Sequence, residues 1–398
     1  MLNKNWRLLQ ILIQLLLFTS LTILLVINPA QAEEGQAPTS LATELQESNF
    51  YFLIDADTKE ILLSKNGDER MAPSSMTKLM TAYVVFDLIA KGRINFDSQC
   101  LIGKDAWRKY GSSMFLNYGD VVSIEDLVKG LLVASGNDAA IALAETTAGG
   151  FESFVDLMNI KAKEFGMKNS HFKNPHGLNE DGHYMSSRDL ATLAIRLYKD
   201  FPEHMHYIGM PEFTYRHIKQ ANRNPLIKGN YDGVVGGKTG HTTQGGFGLV
   251  GIVRRDHRFL IAVVNKAKNP KQRATLATAL LDYGFENYKK IVLFESGHRI
   301  ANLKTWLGRS PTIGVATNQQ VAFNIPRSKP TNAIKVSIKY EEPLYTPIVK
   351  GAKVGTLIVK IDGYKDFEYS LFANETVEKV GYIRRIKRIL RYKLAHFL

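Results

Sequence analysis

The sequence predicts an α+β fold: an antiparallel sheet with a helical half, then a small all-β domain and a C-terminal amphipathic helix. Three observations carry this expectation. Between residues 33 and about 290, amphipathic helical runs lie between strand-like runs at 49–75 and 232–265. From about 291, short β-prone runs such as "KVSIKY" and "VGTLIVKI" alternate with turns, and no long helical pattern returns until 377. In the last residues Ile383, Ile386, Leu390, Leu394 and Phe397 recur at helical spacing.

The elements follow in order. Lys4 and Arg7 precede a long apolar run from Leu8 to Ile27, and Asn28-Pro29-Ala30-Gln31-Ala32 follows. This is a signal peptide over 1–32. The apolar run is about long enough to span a bilayer, so an uncleaved anchor is the alternative. Both readings export the rest of the chain. "EEGQAPTS" is a polar lead-in. Residues 49–75 alternate around Asp57-Thr58-Lys59 as a β-hairpin, and a helix containing Lys78 follows. Ser123 with Asp126, and Ser186 with Asp189, are capping boxes opening further helices. The first of these helices breaks at Ser135-Gly136-Asn137 and resumes as far as Gly149-Gly150; "FESFVDLMNIKAKEFGM" is another. Two β-rich runs then flank the turn Arg254-Arg255-Asp256, and "ATLATALLDYGFENY" closes a first domain of 33–290. The β-rich domain covers 291–376 and the basic helix 377–398.

Composition narrows the function. With 398 residues, 45% of them hydrophobic, the chain has room for two or three domains and is not a disordered one. Cys100 is the single cysteine, so no intramolecular disulfide forms, and no metal-binding pattern of His, Glu or Cys occurs. Neither a metal nor a cofactor is expected. The net charge is +13, yet the last eighteen residues alone hold six basic residues and no acid. A local partner fits this better than a diffuse basic surface. Arg384, Arg385, Lys387, Arg388, Arg391 and Lys393 around an apolar stripe suggest a helix lying on anionic lipid. The alternatives are packing on the β domain or binding nucleic acid, which export disfavours.

Three polar stretches could do chemistry. Ser75 and Lys78 stand at i and i+3, within mutual reach on a helix. A serine hydroxyl needs a base, and a lysine is one only when desolvation or nearby positive charge depresses its pKa. Taken alone, the pair reads equally as a helix cap (Ser74 or Ser75) beside a solvated lysine. Ser135-Gly136-Asn137 interrupts a good helix, as a plain interhelix turn also does. Lys238-Thr239-Gly240 lies between glycines that open a strand to a ligand, or that simply make a hairpin. His176 and His183 read as structural, Ser113 as a residue of undefined place near the cleft, and Arg273 as able to reach a carboxylate pocket or as a solvated arginine.

Together, Ser-x-x-Lys, Ser-x-Asn and Lys-Thr-Gly, whose first residues Ser75, Ser135 and Lys238 are 60 and 103 positions apart, form the signature of the penicillin-interacting serine enzymes. With "NPHGLNEDGHYMSSRDLA" and "GGKTGHT", the chain resembles the D-alanyl-D-alanine carboxypeptidases, the low-molecular-weight penicillin-binding proteins of bacterial envelopes. The pair Gly236-Gly237 departs from that family, where a larger apolar residue often precedes the lysine.

The resemblance implies a β-lactamase/transpeptidase-like catalytic domain and acyl transfer to Ser75 from peptidoglycan stem peptides ending in D-Ala-D-Ala. It implies Lys78 as base, with Ser135 and Lys238 relaying a proton to the leaving amine. Asn137 would hold a substrate amide and Lys78, and Thr239 the terminal carboxylate. The resemblance also counts Lys238, Gly240 and His241 among the substrate-binding residues, with the backbone N–H groups of Ser75 and His241 forming the oxyanion hole. β-Lactams would acylate the same serine. The implied location is periplasmic, attached to the inner membrane by the C-terminal helix. A D,D-endopeptidase and a non-catalytic penicillin-binding scaffold are the alternatives; a class A β-lactamase lacks a convincing deacylating glutamate, although Glu164 and Glu180 lie in the right interval.

Overall fold

The structure, a computed structural model, describes residues 45–46, 48–331 and 334–395, with only the backbone given for 391–395. The expected signal peptide, Phe397 and the Leu394 side chain lie outside the described residues.

Strands β1 (Tyr51–Asp55) and β2 (Ile61–Lys65) form the expected hairpin. Asp55 holds its turn by accepting the Asp57 and Thr58 amides. Three strands, β3 (Val234–Thr242), β4 (Gly246–Arg255) and β5 (Arg258–Ala267), follow much later in the chain. Among the described residues these five make one antiparallel sheet in the order β2-β1-β5-β4-β3, with β3 at an edge. The two-residue period of β1 assigns its sides. Phe52 and Ile54 join the core under the helical half, whereas Tyr51 and Leu53 join the core on the opposite face. Strand β5 is buried on both faces, which is why "FLIAVV" is a continuous apolar run without alternation.

The helical half is built around α1 (Lys78–Ala90), which follows a 3₁₀ turn at Ser74–Thr77. Lys78 to Phe86 are all buried, so the helix is sheathed on every side. Helix α2 (Ile124–Lys129) opens with Ser123 Oγ accepting the Asp126 amide at 3.1 Å. It widens to a π-turn at Gly130–Ala134, reverses through Ser135 at φ +62°, and restarts as α3 (Asn137–Thr147). Helix α4 (Phe151–Glu164) precedes α5 (Ser187–Asp200), where Ser186 Oγ accepts the Asp189 amide. Helix α6 (Pro270–Asn287), capped by Asn269, covers the far face of the sheet.

Helix α6 runs directly into strand Tyr288–Phe294, three residues earlier than the boundary expected from sequence. The strands after it form a two-stranded and a six-stranded sheet among the described residues, around Ile313, Val315, Phe323 and Leu357. Asn324 of this β-rich part hydrogen-bonds Thr58 and Glu60 at the β1–β2 turn. Helix α7 (Tyr382–Ala395) ends the description. The fold class read from the sequence is the one observed.

Candidate active site

The entry into α1 is bent by what surrounds it. Ser74 lies at φ +53° and Gly177 presses against it: a methyl group on Gly177 would stand 1.8 Å from the Ser74 carbonyl oxygen. Strand β3 closes the other side, where a methyl on Gly240 would come within 3.0 Å of the Pro73 carbonyl and Ser74 Cβ. Ser74 does not cap the helix, contrary to expectation. Its hydroxyl donates to Thr242 Oγ1 at 3.2 Å, because the turn is 3₁₀ and points that side chain at the β3 strand. Ser75, the next residue, remains partly exposed at the mouth.

Lys78 is completely buried and its Nζ has three partners. It lies 2.9 Å from Ser75 Oγ, 2.7 Å from Asn137 Oδ1 and 2.7 Å from the His176 carbonyl oxygen. Asn137 is itself oriented by donating its Nδ2–H to the Tyr110 carbonyl at 2.9 Å, which leaves Oδ1 for the lysine. Burial first, then the positive charges of Lys238 and Arg223, pull the Lys78 pKa well below the ordinary lysine value. On the other side, Lys238 Nζ donates to Ser135 Oγ at 2.9 Å. Burial, with Arg223 and Arg273, brings Lys238 down to about 7.

The structure thus gathers these residues into two hydrogen-bond clusters, Lys78 with Ser75 and Asn137, and Lys238 with Ser135, which feel each other through charge. Thr239 and Gly240 continue along β3, and His241 stacks on Phe247 with centroids 3.9 Å apart. The unusual pair before Lys238 has a packing reason. A methyl on Gly236 would lie 2.8 Å from the Ile208 backbone, and one on Gly237, at φ +136°, would lie 1.9 Å from the Val250 carbonyl oxygen. Gly236 lets the short helix Met205–Gly209 pack directly on the strand, and Gly237 lets the β4 backbone at Val250 come close.

Other candidates sort differently. His183 Nδ1 accepts the Lys173 amide at 3.1 Å and Nε2 meets Thr77 Oγ1 at 2.9 Å; His176 Nδ1 accepts the Leu178 amide. Both rings are structural and buried, and burial depresses them to about 4 and about 2. Ser113 donates to Asp138 Oδ2, and that carboxylate also accepts the amides of Met114, Phe115 and Leu116. Arg273 is largely buried rather than a solvated surface arginine; among the described residues it makes no salt bridge, and its Nε has no hydrogen-bond partner in the protein. Cys100 is buried against Thr146 and Ala142. Glu164 pairs with Lys161 on the surface, and Glu180 accepts from Asn174. Sequence reasoning missed Arg223, whose Nη1 donates to Ser112 Oγ, and Asp138. Nothing in the pattern around Arg223 marks it, whereas Asp138 could have been suspected from its place beside Asn137.

A hydroxyl hydrogen-bonded to a buried lysine of depressed pKa, at the start of a helix that faces an edge strand, is the apparatus of a serine peptidase. Residues 37–269 match the family described as D-alanyl-D-alanine carboxypeptidase, and 288–379 match that described as Penicillin-binding protein 5, C-terminal domain. The chain is 35% identical over 363 residues to D-alanyl-D-alanine carboxypeptidase DacF of Bacillus subtilis, covering 90% of this chain and 92% of the relative. It superposes on penicillin binding protein 5 from Haemophilus influenzae with a TM-score of 0.79 at 34% identity, covering 83% of this chain and 98% of that one. Penicillin-Binding Protein D2 from Listeria monocytogenes, solved in an ampicillin-bound form, gives 0.55 at 28% identity over 60% of this chain and 97% of its own. The chain belongs to the D-alanyl-D-alanine carboxypeptidase family and is a serine-type enzyme of that family.

Proposed function

We propose that this enzyme removes the terminal D-alanine of peptidoglycan stem pentapeptides through an acyl-enzyme on Ser75, and that β-lactams acylate the same oxygen. One observation carries the mechanism. A neutral lysine amine has two N–H donors and one lone pair. Two of the three Lys78 partners, Asn137 Oδ1 and the His176 carbonyl, can only accept. They take both N–H bonds, so the lone pair is left for the third partner, the Ser75 hydroxyl 2.9 Å away. The depressed Lys78 pKa favours that neutral form, and the serine proton has an acceptor before substrate arrives.

As Ser75 Oγ attacks the penultimate carbonyl, the backbone N–H groups of Ser75 and His241 receive the oxyanion. Lys238 and Ser135, already hydrogen-bonded, return a proton to the departing amine. Thr239 and the unpaired Arg273 offer donors to the substrate carboxylate, and Asn137 holds its amide. Water then frees the shortened peptide. Ser75→Ala should abolish labelling by a fluorescent penicillin; persistent labelling refutes the nucleophile. Incubation with a pentapeptide ending in D-Ala-D-Ala should release D-alanine by mass spectrometry. Release only from cross-linked dimers would make the enzyme an endopeptidase.

The proposed location is the periplasm, with α7 on the membrane surface. Arg388 donates to the Gly308 carbonyl and so leans the helix on the β-rich part, but Ile383 (72%), Ile386 (43%) and Leu390 (55%) stay exposed. Each basic residue beside them adds about 1 kcal/mol on anionic lipid. Among the described residues no helix is long and apolar enough to cross a membrane.

A further inference from the structure

We infer that Asp138 is the positioning residue for Asn137: its buried carboxylate folds residues 113–116 across the helix break, and the loop so folded holds the Asn137 side chain on Lys78. This rests on the acyl-enzyme reading above, and adds to it a residue that touches neither Ser75 nor Lys78.

Asp138 stands in the first turn of α3 and is 1% exposed. A buried carboxylate needs a cation or a full set of donors. Among the described residues no cation pairs with it, and donors surround it instead. Ser113 Oγ donates at 2.5 Å, the Met114 amide at 3.0 Å, the Phe115 amide at 3.1 Å and the Leu116 amide at 3.2 Å. The Ala139 amide, on its own helix, completes the set at 2.9 Å. All but the last come from one loop segment, which cannot leave without stranding the charge.

The loop does not keep this shape on its own account. Phe115 lies at φ +71°, a region that bulky residues avoid, with its ring half exposed. The bonds to the carboxylate impose that conformation. The helix break makes room for it: a methyl on Gly136 would stand 2.6 Å from Asp138 Oδ1 and 3.3 Å from the Met114 nitrogen. The residues just before this segment grip Asn137. The Ser112 carbonyl accepts the Asn137 amide at 2.6 Å, and the Tyr110 carbonyl accepts its Nδ2–H at 2.9 Å. From outside, Arg223 donates to Ser112 Oγ at 2.7 Å and Gln220 to the Ser113 carbonyl at 3.1 Å. Asp138 is thus the inner anchor of the loop that sets Asn137. Its charge also reaches the base. Lys238 and Arg223 press the Lys78 pKa down and Asp138 pulls it up, while His176 beside it is neutral.

The test compares the full chain with Asp138→Asn, Asn137→Ala and the double variant. Asparagine keeps the shape and one acceptor oxygen but turns N–H donors toward the loop amides. On the alkaline plateau, where Lys78 is a base in every variant, second-order acylation by penicillin should fall at least about tenfold in Asp138→Asn. The acid limb should move to lower pH, since the carboxylate and a well-placed Asn137 acceptor both favour the ammonium form. Loosened packing alone would admit water to Lys78 and move the limb the other way. In the Asn137→Ala background the same substitution should cost less than about twofold, because the group it acts through is gone. Ser113→Ala, at a half-buried position, removes one donor and should give a smaller loss with the same dependence on Asn137. Should Asp138→Asn fail to fold, Ser113→Ala decides alone, and a wild-type rate there overturns the inference. Equal losses in both backgrounds, a wild-type plateau rate in Asp138→Asn or an acid limb that stays or rises would also overturn it, leaving the carboxypeptidase reading intact. A wild-type chain that penicillin does not label would overturn the proposed function, and this inference with it.

Discussion

Lys78 Nζ and Asn137 Oδ1 stand 2.7 Å apart although 59 residues separate them, and the far end of the same amide is pinned to the Tyr110 carbonyl. Asn137 is therefore a neutral acceptor held against the lysine by the loop that precedes it. Asn137→Asp keeps the shape but puts a carboxylate there, which stabilises the ammonium form. Acylation by penicillin at neutral pH should fall by about 10²-fold or more, read as the second-order labelling rate. An undiminished rate would show that Lys78 need not be neutral.

Lys238 is the strongest charged influence on Lys78, after burial. The base form is the deprotonated one, so acylation should decline as pH falls through the Lys78 pKa. Lys238→Ala removes a repelling cation and lets Lys78 hold its proton more tightly. The acid limb of the acylation profile should move to higher pH. A limb that stays in place, measured between pH 5 and 9, would uncouple the two lysines.

His183 cannot be protonated without losing the Lys173 N–H bond, and burial holds it at about 4 against an ordinary 6.5. A folded pKa below the unfolded one means that the unfolded chain binds the proton first. The contribution is fully present above pH 6.5 and is lost as pH falls through about 4, amounting to about 2–3 kcal/mol. Urea unfolding at pH 7 and pH 4 should show this loss, and His183→Gln should shrink it.

Gly177 sits at φ +85°, with its Hα directed at the Ser74 carbonyl. Gly177→Ala should cost more than about 2 kcal/mol, since both the backbone region and the space refuse a methyl. The strain falls on the Ser74–Thr77 turn, so penicillin labelling should drop in the protein that still folds. A variant with wild-type melting temperature and labelling would contradict the packing described here.

Deleting 381–398 should move the protein from membrane to soluble fractions, because the exposed Ile383, Ile386 and Leu390 stripe goes with it. A truncated protein that still sediments with membranes would shift the attachment to the N-terminus.

Local order was legible in the chain. Ser123 with Asp126 and Ser186 with Asp189 cap their helices as read, because a cap is a contact across three residues. The β1–β2 hairpin and the break at Ser135 were equally visible, being patterns of period two and of an interrupted helix. What could not be read was anything that depends on the far side of the chain. The role of Ser74 was misjudged because Thr242, its partner, lies 168 residues away.

By itself, then, the sequence determined the fold class and the set of polar residues able to do chemistry, since those follow from composition, periodicity and motif order. Tertiary structure alone decided that Lys78 is dry, that its two other partners are pure acceptors, and that Arg223 adds its charge to the site. The reason is physical: a side chain's proton affinity depends on its solvent exposure and on charges brought near by folding, and neither is encoded in its immediate neighbours.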